Sequence, residues 1–402
     1  MRPTNAIARS VLTRAHVLLV FGLLLAMVGQ AAPTRAETDE PYACRQEVYA
    51  YDERFPGVHA ASIGQLPSGD LLYTFFGGSG EGDDDVAVWH SRMAVGTDDW
   101  THPEVLFDDP GKPEGNSVIW HNGEGRTFVF FVTMQGDGWT EANMRFVYSD
   151  DDGHTWSEPR WLREELGWML GNRAQRLSNG DVILPVYSET PSQADWQVGF
   201  AISSDDFQTW DFYPEQLADW PQSPSASIQA EAVELDPGHL LAYMRTGDDF
   251  IYSTESFDYG RTWTPAEATD LPNPGARVSL MKLESGNLVL AYNPTNSGRA
   301  TLRLARSTDG GQTWPDFFDV ENAAGQEFSY PQLLQSGDGF IHLAYTHKRM
   351  SMRHLVFNEA YISEGEDLAS DMPVDTPFYS VTSRALFQAG LTPVNGCDYR
   401  PS

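Results

Sequence analysis

Ser149-Asp150-Asp151-Asp152-Gly153-His154-Thr155-Trp156 decides the fold, because the chain repeats it. The pattern Ser-x-Asp-x-Gly-x-Thr-Trp returns at residues 256–263 and 307–314. A worn copy at residues 203–210 carries Phe207 in place of the glycine, and a fainter one ends at Trp100. The closing tryptophans, 100, 156, 210, 263 and 314, lie 51 to 56 residues apart. A fixed period of about 50 residues marks stacked supersecondary units that cannot bury their apolar faces alone, and an all-β propeller is the architecture it predicts.

A second periodic element sets the blade count. Six stretches read as apolar strand, glycine turn, apolar strand: residues 59–78, 116–133, 172–189, 229–247, 277–294 and 330–347. Their turns fall at Gly69, Gly123 and Gly125, Gly180, Gly238, Gly286 and Gly337. The alternation of Val278, Leu280, Leu288 and Leu290 is of strand type. Six hairpins give a six-bladed β-propeller of four-stranded antiparallel blades, with no competing helical period. Residues 42–51 are expected to supply an outer strand to the last blade, and residues 364–376 to be loop. A faint sixth repeat is expected at residues 362–370.

The first residues have the features of a secretory signal. Arg2, Arg9 and Arg14 precede the apolar run 17–29, and Thr34-Arg35-Ala36 offers a cleavage site. The expectation is a signal peptide over 1–36, a single domain over 37–402, and a secreted or periplasmic protein without a membrane span. Cys44 and Cys397 are the only cysteines. In an oxidising compartment they form a disulfide that locks the ring where its ends meet; the alternative is two free thiols.

The net charge of −31, with lysine only at positions 112, 282 and 348, excludes nucleic acid and anionic membrane as partners. An anionic ligand needs a local arginine cluster. The hairpin phase supplies one. Strand starts at His59, Asn116, Arg173, Gln229, Arg277 and Tyr330 converge on one mouth of the channel. The segments after the second strands join them, with Glu81, Asp85, Glu189, Arg245, Arg299 and Arg349. Guanidinium forks suit a carboxylate. For each arginine alone, pairing with an acid on this acidic chain is the plain alternative. The Ser-x-Asp-x-Gly-x-Thr-Trp repeats fall in the outer hairpin, on the opposite face, where Ser and Asp cap turn amides and Trp packs. A calcium loop at Asp150–Asp152 lacks the later bidentate glutamate.

These residues resemble a known family. The repeat is similar to the Asp-box of sialidases, and residues 59–63, 76–82, 184–189 and 344–349 resemble sialidase-like BNR-repeat proteins. The resemblance covers about residues 55–360. It implies a retaining exo-glycosidase that removes a terminal sialic-acid-type sugar from an acidic glycan, as a monomer, without cofactor or metal. Arg245 and Arg299 match carboxylate-binding arginines, with Arg173, Gln229 and Arg349 as further substrate-binding positions. Tyr330 matches the nucleophile, assisted by Glu231 or Gln229. The acid/base falls within residues 81–85, represented by Glu81 and Asp85. Two positions depart from the family: His59 stands where an arginine is expected, and Gln229 where the glutamate partner is expected. His59 with Tyr330 admits a second reading, a lyase cleaving uronate glycans by β-elimination. A non-catalytic glycan-binding propeller is the third.

Overall fold

The computed structural model describes residues 41–51, 55–205, 207–214, 224, 226–368, 376–379 and 397. The expected signal peptide lies outside them. Among the described residues no helix is long and apolar enough to cross a membrane.

Six antiparallel sheets form the blades of a propeller. Blade 1 runs Gly57–Gln65, Leu71–Gly78, Ala87–Met93 and Glu104–Phe107; blade 2 runs Glu114–His121, Thr127–Met134, Ala142–Ser149 and Arg160–Arg163. In blade 3 the first strand is broken into Trp168–Leu170 and Gln175–Arg176, both paired with Val182–Ser188, before Gln197–Ser203 and Asp211–Tyr213. Blade 4 comprises Ile228–Asp236, His239–Arg245, Phe250–Ser256 and Glu267–Pro272. Blade 5 comprises Ser279–Lys282, Leu288–Tyr292, Thr301–Ser307 and Asp316–Asn322. Blade 6 takes Phe328–Gln335, Ile341–His347 and Ser351–Phe357, and its fourth strand is Tyr42–Tyr49 from the other end of the chain.

Blade 6 departs from the sequence reading in three ways. A fifth strand, Thr376–Tyr379, pairs with Tyr42–Tyr49. The faint repeat expected at residues 362–370 is not seen among its described residues, 362–368, because Ile362 belongs to a short helix, Glu359–Glu364. Asn358 caps that helix by accepting from the Tyr361 amide at 3.2 Å. The left-handed turn residue is Gly339 (φ 89°) rather than Gly337.

Each repeat connects the third and fourth strands of its blade, as expected. The bonds recur. Gly153, Gly260 and Gly311 donate their amides to Ser149, Ser256 and Ser307 Oγ at 2.8, 2.9 and 2.9 Å. The Thr155, Thr262 and Thr313 hydroxyls donate to the Asp151, Asp258 and Asp309 carboxylates at 2.6 Å each. The worn copy keeps both bonds, Phe207 N to Ser203 at 2.9 Å and Thr209 to Asp205 at 2.6 Å. Phe207 adopts the glycine conformation (φ 71°) and stacks on Phe128 and Trp120 of blade 2. Aromatic burial of about 3–5 kcal/mol outweighs a left-handed penalty of about 1–2 kcal/mol.

Apolar side chains fill the spaces between neighbouring blades, as with Leu66, Leu72, Ile119, Val129 and Phe131 between blades 1 and 2. Near the axis the inner strands are stitched by side chains. Ile119 N donates to Ser62 Oγ, Leu280 N to Glu231, Leu333 N to Ser279 Oγ, and Ile63 N to Gln332, all at 2.9–3.0 Å. The last stitch joins blade 6 to blade 1. The Cys44–Cys397 disulfide, with Cα atoms 5.5 Å apart, fastens the closing strand.

Candidate active site

The mouth is built from a repeated irregularity. In blades 1, 2, 4 and 6 the first strand carries a β-bulge whose first residue is left-handed: Ala60 (φ 57°), Asn116 (48°), Gln229 (53°) and Tyr330 (53°). None is glycine, and such a conformation costs about 1–3 kcal/mol per residue. The bulge re-aims its side chain relative to the strand behind it. The register also corrects the sequence phase. The blade 1 residue equivalent to Gln229 and Tyr330 is Ala60, and His59 stands one residue earlier.

Tyr330 is the centre of the site. Arg245 Nη1 donates to its hydroxyl at 3.0 Å, and Gln229 Nε2 approaches it at 3.5 Å. Arg277 and Arg299 lie 4.9 and 5.4 Å from its ring centroid. Burial raises the phenol's pKa, but the Arg245 and Arg299 charges and the Gln229 bond outweigh it and hold the group below its ordinary value. Gln229 orients this network. Its carbonyl accepts from Arg245 Nη1 at 3.0 Å, so its amide nitrogen faces Tyr330 and, at 3.3 Å, the Tyr187 hydroxyl. Asn116 donates to Tyr187 at 3.0 Å.

His59 packs its ring 4.0 Å from that of Tyr330, centroid to centroid, and bonds Thr346 Oγ1 at 3.0 Å. Burial, followed by the charges of Arg349, Arg299, Arg277 and Arg245, pushes its pKa well below the usual value, so the imidazole is neutral. Arg277, fully buried, makes no ion pair among the described residues, although the Glu231 carboxylate lies near enough to act on its charge. It donates to the carbonyls of Gly171, Ala61 and Tyr330 at 2.6, 2.7 and 2.9 Å and to that of Pro331 at 3.3 Å, tying blades 1, 5 and 6 to the break in blade 3's first strand.

Arg299 and Arg349 both bond Glu327 at 3.0 Å, and Arg349 also bonds Glu81. Arg349 and Lys348 are left-handed (φ 55° and 58°), a strained pair that turns the chain back toward blade 1, where Val58 N donates to Arg349 O at 3.1 Å. The sequence missed Glu327, which makes one chain of Arg299, Glu327, Arg349 and Glu81.

The remaining candidates stand apart from the phenol. Glu231 is buried in the inter-blade stitch and gives its oxygen to Leu280 N rather than to Tyr330. Burial raises its pKa, against the pull of Arg173, whose Nε is 3.7 Å away. The in-phase series Ser62, Glu231 and Gln332 was the available signal for this structural role. Asp85 accepts from Ser79 Oγ at 2.7 Å and Ser79 N at 3.0 Å, and these bonds hold it ionised below its ordinary range. Glu189, buried at the end of blade 3's second strand, is pushed up to about 7 by burial, with Arg245 opposing and Glu81 reinforcing the shift.

A family model described as a BNR repeat-like domain matches residues 69–343. The chain belongs to this family, within the sialidase superfamily. Two curated relatives are about a quarter identical to this BNR-repeat protein over the stretches that align. A sialidase of Bacteroides fragilis is 24% identical over 282 residues, 65% of this chain and 49% of the relative. An anhydrosialidase of Macrobdella decora is 25% identical over 227 residues, 49% of this chain and 28% of the relative. The matches therefore span half or less of those proteins' length. Among solved structures, a Hadza microbial sialidase superimposes with a TM-score of 0.68 at 20% identity, covering 79% of this chain and 68% of that one. The intramolecular trans-sialidase of Ruminococcus gnavus superimposes at 0.66 and 15% identity, covering 79% and 98%. At these identities the superpositions establish that the BNR-repeat propeller has their fold.

Proposed function

We propose that this protein is a secreted or periplasmic sialidase-like exo-glycosidase that hydrolyses a terminal carboxylated sugar from glycans with retention. The observation that carries this reading is the Tyr330 hydroxyl held 3.0 Å from Arg245 beneath Arg277 and Arg299. The sialidase relatives support it. Arg245, Arg299 and Arg349 present guanidinium groups for the sugar carboxylate, with Arg349 supplying the third arm that His59 cannot. Gln229 donates to the phenolate but cannot accept its proton. The proton therefore leaves to water, aided by the arginine charges. The phenolate oxygen attacks the anomeric carbon, the bond to the leaving oxygen breaks, and an acid from the residue 81–85 loop protonates that oxygen. Water then opens the tyrosyl glycoside on the same face. The N-terminal pattern and the disulfide support export.

The test is to incubate the protein with 3′-sialyllactose and follow the products by proton NMR. Free sialic acid appearing first as the anomer of the substrate supports the proposal. Release of the opposite anomer defeats retention. Binding without product leaves the glycan-binding reading, and no binding or product defeats the substrate class. An unsaturated uronate from uronate polysaccharide would restore the lyase reading, which none of the relatives described above favours.

A further inference from the structure

Glu189 is the carboxyl at the mouth that the mechanism above leaves unused. It is only 8% exposed, yet its side chain makes no hydrogen bond or ion pair among the described residues. Its carboxyl oxygens are not among the sealed, unpartnered polar atoms of the core, so they open to the mouth, where a ligand can reach them. Its placement is fixed. The Glu189 amide donates to Gly167 O at 2.8 Å, and a side chain at Gly167 (φ 83°) would press within 2.8 Å of Glu189 O. Glu189 follows directly on the strand that ends at Ser188, two residues beyond Tyr187, and Tyr187 is joined through Gln229 to Tyr330. The charged groups that act on it are Arg245 and Glu81, with the Tyr187 phenol as neighbour.

We propose that Glu189 is a ligand-contacting group, donating a hydrogen bond from its carboxylic acid form to a hydroxyl or amide oxygen of the bound anionic sugar. The inference rests on the carboxylated-sugar reading and names a contact within it. A second negative charge beside the sugar carboxylate would oppose binding, whereas the neutral acid adds a donor without charge. Burial, which pushes Glu189 up to about 7, keeps that acid form populated at mildly acidic to neutral pH. The sign follows. Raising the pH through 7 ionises Glu189 and weakens binding; lowering it restores binding.

The experiment uses Tyr330→Phe protein, which removes both turnover and the phenol's own titration. Calorimetric titration with 3′-sialyllactose is run at pH 6 and pH 8. For one group with a pKa near 7, affinity should fall about tenfold between these values. In the Tyr330→Phe, Glu189→Gln double variant, which keeps a donor but cannot ionise, the change should be under twofold. Glu189→Asn serves as the second non-ionising variant. A tenfold fall retained in both overturns the inference and leaves the carboxylated-sugar reading standing. Absence of binding at pH 6 in Tyr330→Phe overturns both.

Discussion

The two faces of the propeller obey opposite rules. On the far face, the outer hairpins repeat the same serine, aspartate and threonine bonds in blades 2 to 5, and even Phe207 is bent into the glycine's conformation to keep them. At the mouth, topologically equivalent bulges carry four different residues, Ala60, Asn116, Gln229 and Tyr330, each held left-handed without glycine. Repetition marks what every blade needs in order to pack. Departure from repetition, maintained at an energetic cost, marks what only one site needs.

Five substitutions test that division. Tyr330→Phe should have the largest effect, lowering kcat by about a thousandfold or more, about 4 kcal/mol, with the thermal midpoint unmoved. Retained hydrolysis would remove the mouth's claim to chemistry. Arg277→Met should lower stability by about 3–5 kcal/mol in urea titration, because four carbonyls lose a donor in the core. That result would show that part of the mouth is structural. Gly260→Ala should cost about 2–3 kcal/mol, and Gly153→Ala about 1, since the added Cβ meets Ile183 Cδ1 at 2.7 Å in one and Leu66 Cδ1 at 3.6 Å in the other. Equal costs would mean that backbone conformation alone governs the repeat. Ser307→Ala should cost about 1 kcal/mol by freeing the Gly311 amide, and leave turnover unchanged. A loss of kcat there would couple the two faces.

The same division explains what the sequence disclosed. The tryptophan spacing and turn glycines were enough for the blade count and the closing strand, because those follow from local periodicity, and the single pair of cysteines was enough for the disulfide. They also brought Tyr330, Arg245, Arg299, Gln229 and Arg349 to one mouth. They failed at His59 by a single residue, because a bulge inserts a residue that no periodicity reports. They misplaced Glu231, whose neighbour across the blades, Leu280, is 49 residues away in sequence. Glu327 escaped because its significance lies in Arg299 and Arg349, and Glu189, though placed at the mouth, received no role because its burial and lack of a partner are set by other blades.

The disulfide also sets where mechanical load can travel. Cys44 and Cys397 are joined across 353 residues, and almost the whole propeller lies inside that loop. Tension applied to chain outside the two cysteines passes through the sulfur–sulfur bond and bypasses all six sheets. Reduced protein would instead take the pull in the closing sheet, where Tyr42–Tyr49 is held between Ser351–Phe357 and the edge strand Thr376–Tyr379. A single covalent clasp thus shields the blades from a pull arriving through either end.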